Sequence, residues 1–134
     1  MYRFCFVIFL VFSFVSCEKE EDDLADFRER FVGEWTVTEG VGSDVVSFDV
    51  EIQKDEENKN NILVYNFHDI GDDFFVEFKV STVNANALSF SGQQVGTYYF
   101  DNGVGNLQSD NSIDFTFVVN DGNGNVNISS RFNR

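Results

Sequence analysis

Proline is absent from the 134 residues, and histidine, tryptophan and methionine occur once each. Without proline, no strand can be blunted by that residue, so a sheet is better protected by closing on itself. Two cysteines are too few for a disulfide scaffold, and the composition fits neither a collagen-like chain nor a coiled coil. Basic residues are scarce: nine Lys and Arg stand against 23 Asp and Glu, a formal charge of -14. Phosphate contacts need clustered Lys and Arg, so nucleic-acid binding is excluded as a function class. The one long apolar run, Phe4–Val15, has twelve residues, where a membrane-spanning helix needs about 20. What is present is apolar and aromatic material, 43% hydrophobic and 16% aromatic. That is enough to bury a core despite the charge, in one domain at this length.

Arg3, the apolar run and Ser16-Cys17, followed abruptly by Glu18-Lys19-Glu20-Glu21-Asp22-Asp23, have the pattern of a secretory leader ending at residue 16. Phe14-Val15-Ser16-Cys17 resembles the lipobox of bacterial lipoproteins. That resemblance implies cleavage between Ser16 and Cys17, lipidation of Cys17, and anchoring in the outer membrane of a Gram-negative bacterium. The acidic run behind the cysteine is similar to the surface-export signal of Bacteroidota lipoproteins. Removal of Cys5 with the leader leaves Cys17 alone in the mature chain, and acylation accounts for an otherwise unpaired cysteine. The expected organisation is a leader over 1–16, a lipidated cysteine and acidic tether over 17–23, and a β domain over 24–134.

After the tether, Asp22 or Asp23 is placed to cap a short helix with Leu24, Phe27 and Phe31 on one face, ending near Gly33. From there the period is two. Phe48, Val50 and Ile52 alternate with polar residues, as do Phe74, Val76, Phe78 and Val80, then Ile113, Phe115, Phe117 and Val119, then Val126, Ile128 and Phe132. Further strands are expected over about 33–41, 61–68, 87–91 and 96–107, the last bending at Gly103-Val104-Gly105. Asn-, Asp- and Gly-rich turns join neighbours. The expected fold is all-β: an eight-stranded antiparallel meander closed into a barrel, with a short N-terminal helix.

Phe31-Val32-Gly33-Glu34-Trp35-Thr36-Val37 at the opening of the first strand resembles the lipocalin and wider calycin superfamily. With Phe31 to Glu39 and Gly103-Val104-Gly105-Asn106-Leu107, the chain is similar to the short lipocalin-like lipoproteins of flavobacteria and their relatives. The resemblance implies that Gly33 and Trp35 close one end of the barrel and that Arg131, near the end of the last strand, packs across the Trp35 ring.

No pattern of catalytic residues stands out. The carboxylates fall in loops or on solvent faces, and His68, beside Asp69, has no nucleophile elbow to serve. Asp121-Gly122-Asn123-Gly124-Asn125 has the alternating oxygens of a calcium loop's start but Val126 and Phe132 at positions that need Gly and Glu, so hairpin chemistry explains it. Neither a metal site nor a cofactor is expected, and the protein is read as a non-enzyme. Trp35, Phe48, Phe74, Phe78, Phe90, Phe100, Phe115, Phe117 and Phe132 fall on inward positions and fill a small barrel. Two partner readings stay open. One is a small apolar ligand at the end away from Trp35, rimmed by Tyr65, Tyr98 or Tyr99. The other is an envelope protein held on the outer wall, where Phe75, Tyr99 and Val118 interrupt polar strands.

Overall fold

A computed structural model describes residues 26–134; the expected leader, the Ser16–Cys17 cleavage, the acidic tether, Leu24 and the Asp22/Asp23 cap lie outside the described residues. The described chain opens on a 3-10 turn, Phe27–Arg30, and continues as β1 (Gly33–Val41), β2 (Asp44–Lys54) and β3 (Asn61–Tyr65). A second 3-10 turn, Phe67–Asp69, precedes β4 (Phe75–Val80), β5 (Ala87–Phe90), β6 (Gln93–Val95), β7 (Tyr98–Leu107), β8 (Ile113–Asn120) and β9 (Asn125–Asn133). The expected N-terminal helix is therefore a single 3-10 turn. Its cap is Asp26, whose side chain accepts from the Arg28 N–H.

All strand pairs are antiparallel, and each strand from β1 to β4 joins its sequence neighbour. β1 pairs with β9, from Thr36 opposite Asn133 to Gly40 opposite Ser129. β5 pairs with β7, from Ala87 opposite Asn106 to Phe90 opposite Gly103, and this closes the circle. The result is the expected closed eight-stranded antiparallel barrel with one extra piece. The chain from β5 to β6 covers β7 in two steps, because β6 pairs with the other half of β7 from Tyr98 to Phe100. Where β4 and β6 diverge, the Gln93 amide stands in for a backbone ladder. It accepts from the Glu77 N–H at 2.9 Å and donates to the Glu77 carbonyl at 2.7 Å.

Burial follows the period-two pattern: Trp35, Val37 and Glu39 on β1, Val50 and Ile52 on β2, Val76, Phe78 and Val80 on β4, and Ile128, Ser130 and Phe132 on β9 all point inward. β7 shifts register between Asp101 and Val104, where Asn102 takes a left-handed φ of 51°. The bend thus falls just before Gly103-Val104-Gly105. Both glycines answer a close approach, since a Cβ on Gly103 would run into the Phe90 ring and one on Gly105 into Phe115.

Two inward assignments and one strand boundary change. Phe74 precedes β4 and is 45% exposed, because β4 starts one residue later than the alternation suggests. Val126 extends past the barrel wall and is 40% exposed. The strand expected over 61–68 stops at Tyr65, because Asn66 takes φ 58°, ψ 26° and turns the chain inward. Phe67 then enters the barrel and becomes fully buried, with ring centroids 4.7 Å from Phe117, 5.2 Å from Phe78 and 5.4 Å from Phe100. Phe78 stacks on Phe115 at 4.7 Å. Such pairs contribute about 0.5–1.5 kcal/mol each beyond their buried area. The interior is filled from the wall and from one end.

Candidate functional site

The strands run between two ends of different construction. At the first lie the start of β1, the turn from β2 to β3 and the end of β9. Trp35 is buried there, and its indole N–H donates to the Phe31 carbonyl at 2.7 Å. The guanidinium over its ring is Arg134, 4.0 Å from the ring centroid, which also donates to the Val32 carbonyl at 3.1 Å and to the Arg30 carbonyl. The expectation for Arg131 is corrected by the strand's own alternation. Ser130 and Phe132 face inward, so Arg131 faces out, where it donates to Asp114 at 2.7 Å and Asp110 at 2.8 Å. Arg134 stands past the last paired residue, where the chain is free to fold back over the barrel end. Gly33, φ +119°, occupies backbone space closed to other residues.

Arg28 fastens the first 3-10 turn to this end. Its guanidinium is buried, donates to both Asp26 carboxylate oxygens, and reaches the carbonyls of Asp55 at 2.7 Å and Asn61 at 3.1 Å. The Arg28 hydrogen bond holds the Asp26 carboxyl well below the usual carboxylate range, and the same bond raises Arg28 above its ordinary value. Lys54, paired to Glu29 and Asp26, is raised for the same reason.

The opposite end is closed by the loop that carries Phe67. Asn66, His68 and Asp69 all take left-handed φ values near 57°, a conformation that costs most side chains about 1–2 kcal/mol. Two side chains hold it. The Asn66 amide donates to the Asp49 carbonyl at 2.8 Å while its oxygen accepts from the Gly71 N–H at 2.8 Å. His68 Nδ1 lies 2.6 Å from Glu39 Oε2. Glu39 is 3% exposed, and its other oxygen has no hydrogen-bond partner among the described residues. The imidazole packs edge-on against Tyr98, Phe100 and Phe117 at 5.7–6.0 Å.

His68 thus pairs with Glu39, 29 residues away, and not with adjacent Asp69. The signal for Glu39 was present: it follows Trp35 and Val37 at the same two-residue step, which puts a carboxylate on the inner face of β1. No group of three or more His, Cys, Asp or Glu suited to a metal ion occurs among the described residues. In the Asn120–Asn125 turn, Asn120 and Asp121 oxygens accept the backbone N–H groups of Gly122 and Asn123, which is hairpin chemistry.

The three tyrosines do not form one rim. Tyr98 faces inward, half-buried, against Phe100. Tyr65 faces out, its ring 5.3 Å from Phe75. Tyr99 also faces out, 44% exposed, with its hydroxyl over Gly92. The adjacent outer residues Phe75 and Val118 are 41% exposed and half-buried respectively. A groove of about 530 Å³ crosses the wall between Thr38, Val104, Thr116 and Ser129. Since those side chains point away from the core, this groove is no barrel cavity.

Fold and sites together define a small closed β barrel with a filled interior. No family model matches the chain, and no curated protein does. Among solved structures it is similar to one described as a redesigned beta barrel, with a TM-score of 0.56 at 13% identity, covering 83% of this chain and 96% of that one. At that identity the likeness concerns the fold.

Proposed function

We propose that the protein is a lipid-anchored envelope lipoprotein, held through Cys17, whose barrel is a non-enzymatic interaction or structural module. The observation that carries this over a carrier of small apolar ligands is Phe67. A lipocalin-like carrier keeps one barrel end open, whereas here that end is occupied by a ring packed against Phe78, Phe90, Phe100, Phe115 and Phe117. Ligand pockets hold about 300–1,000 Å³, and the volume such a ligand would need inside the wall is taken by phenylalanine. The envelope location is supported by the leader, the lipobox-like Phe14-Val15-Ser16-Cys17 and the acidic run behind it.

Two measurements test the two halves. Replacing Cys17→Ser in the producing cell is expected to abolish acylation and release the exported protein from the membrane fraction; retention of the variant overturns the anchor. Organic extraction of the full-length wild-type chain, followed by mass spectrometry, is expected to yield only the covalently attached acyl groups after hydrolysis. A stoichiometric non-covalent lipid or other apolar compound overturns the packed-module half and restores the carrier.

A further inference from the structure

We infer that the end of the barrel carrying the Phe67 plug docks a basic, amphipathic segment of another protein. This rests on the interaction-module reading above and names its face and the chemistry of its partner.

Exposed apolar residues are concentrated there. Among the described residues, Val41, Val45 and Val46 on the β1–β2 hairpin, Phe74 and Phe75 entering β4, Tyr99 on β7 and Val126 on β9 are 40–65% exposed. All seven stand where these strands meet the plug end. Phe27, Val83 and Val104 are the large exposed apolar residues found elsewhere. Val41, Val46 and Val126 lie on the inner-face alternation of their strands, so they continue the core pattern past the point where the barrel stops covering it. An apolar surface of this kind on a soluble domain marks an interaction site.

Charge is divided along the same axis. Every Lys and Arg among residues 26–134 lies in the first 3-10 turn, in the turn between β2 and β3, or at the C-terminal end of β2, β4 or β9. The Lys and Arg ion pairs are all on that side too. Around the plug, Asp44, Asp69, Asp72, Asp73 and Asp121 are exposed with no Lys or Arg among them. Uncompensated carboxylates ringing apolar side chains attract a partner with Lys or Arg beside aliphatic groups, and they repel anionic lipid and nucleic acid. The first 3-10 turn, where the described residues begin, is fastened by Arg28 at the end opposite the plug.

The test selects binders from a displayed library of random 12-residue peptides on the full-length chain in detergent micelles. The expected binders combine Lys or Arg with Leu, Ile or Val. Their affinity is expected to drop about tenfold in Asp44→Asn/Asp72→Asn/Asp73→Asn and in Val45→Thr/Val46→Thr, and to hold in Glu34→Gln/Glu56→Gln/Glu57→Gln, which removes equal charge at the other end. None of these side chains is buried, so unchanged circular dichroism and thermal midpoints are required of each variant. Binders without basic enrichment, or equal loss in both triple variants, overturn the inference and leave the filled barrel standing. An extracted apolar ligand overturns the filled-barrel reading and leaves the peptide result standing.

Discussion

The Trp35 end and the Phe67 end of this barrel solve the same problem with opposite means. Both must cover an aromatic core where strands stop. At the Trp35 end the cover comes from regular chemistry: an indole N–H on a carbonyl, a guanidinium over the ring, and a buried arginine tying a 3-10 turn to the β2–β3 turn. All the Lys and Arg ion pairs among the described residues lie there. At the Phe67 end the cover is a loop with three left-handed non-glycine residues, held by Asn66 and by the contact of a half-buried histidine with a buried carboxylate. Apolar residues and carboxylates remain exposed around it. One end is built to be finished, the other to be met by something else.

The largest expected effects come from removing the ring that closes each end. Trp35→Ala and Phe67→Ala should each cost about 3–5 kcal/mol in urea unfolding, as large-to-small changes at fully buried sites. The comparison sharpens in how the loss is distributed. Loss of Phe67 should also raise amide hydrogen exchange in residues 66–74 far more than in β9, since the loop loses its anchor inside the barrel. A Phe67→Ala cost below 1 kcal/mol would mean that the plug is not packed as described.

How much of this the sequence carried depends on the interaction. Period-two burial located the barrel wall, because it depends on local alternation, whereas the place of Gly33 and Trp35 at one end was only what the resemblance to lipocalins implied. The plug was not legible. Tyr65-Asn66-Phe67-His68 continues an apolar alternation, and what breaks the strand is the left-handed turn at Asn66, stabilised by contacts with Asp49 and Gly71 that no local pattern announces. The placement of Arg131 over Trp35 came from the resemblance to lipocalins and not from the pattern of the strand. The alternation of β9 turns Arg131 out between the inward Ser130 and Phe132, and Arg134, past the last paired residue, takes the place over Trp35. The Glu39–His68 contact spans the barrel and is invisible until the strands are in place.

A smaller loss is expected on breaking that contact. His68→Ala leaves the buried Glu39 without its partner, for about 2 kcal/mol, whereas Glu39→Gln with His68 retained keeps a hydrogen bond and should cost less. Thermal melts of both variants check the order; equal costs would place the stabilisation in the carboxylate's charge and not in a hydrogen bond that an amide keeps. Below this comes the arginine comparison. Arg134→Ala should cost about 1–2 kcal/mol through its stacking on Trp35 and its carbonyl contacts. Arg131→Ala, removing exposed ion pairs, should cost less than about 0.5 kcal/mol. The reverse order in chemical denaturation would restore Arg131 to the Trp35 ring.

A pH dependence is expected at the Trp35 end. The Arg28 hydrogen bond lowers the Asp26 carboxyl from its ordinary 3.8. A carboxyl whose pKa falls on folding contributes stability that is fully present above 3.8 and is lost as pH falls toward and through its folded value. Asp26 is about a third exposed, so solvent screening limits this contribution to roughly 1 kcal/mol. Urea unfolding of wild type and Asp26→Asn is therefore expected to differ by about that amount at neutral pH and to converge as pH falls from 3.8 toward and through the lowered folded value. The amide oxygen of the variant can still cap the Arg28 N–H, so the difference reports the charge and not the cap. Parallel curves down to the acid limit would assign the anchoring to Arg28's bonds with the carbonyls of Asp55 and Asn61, which carry no titratable proton.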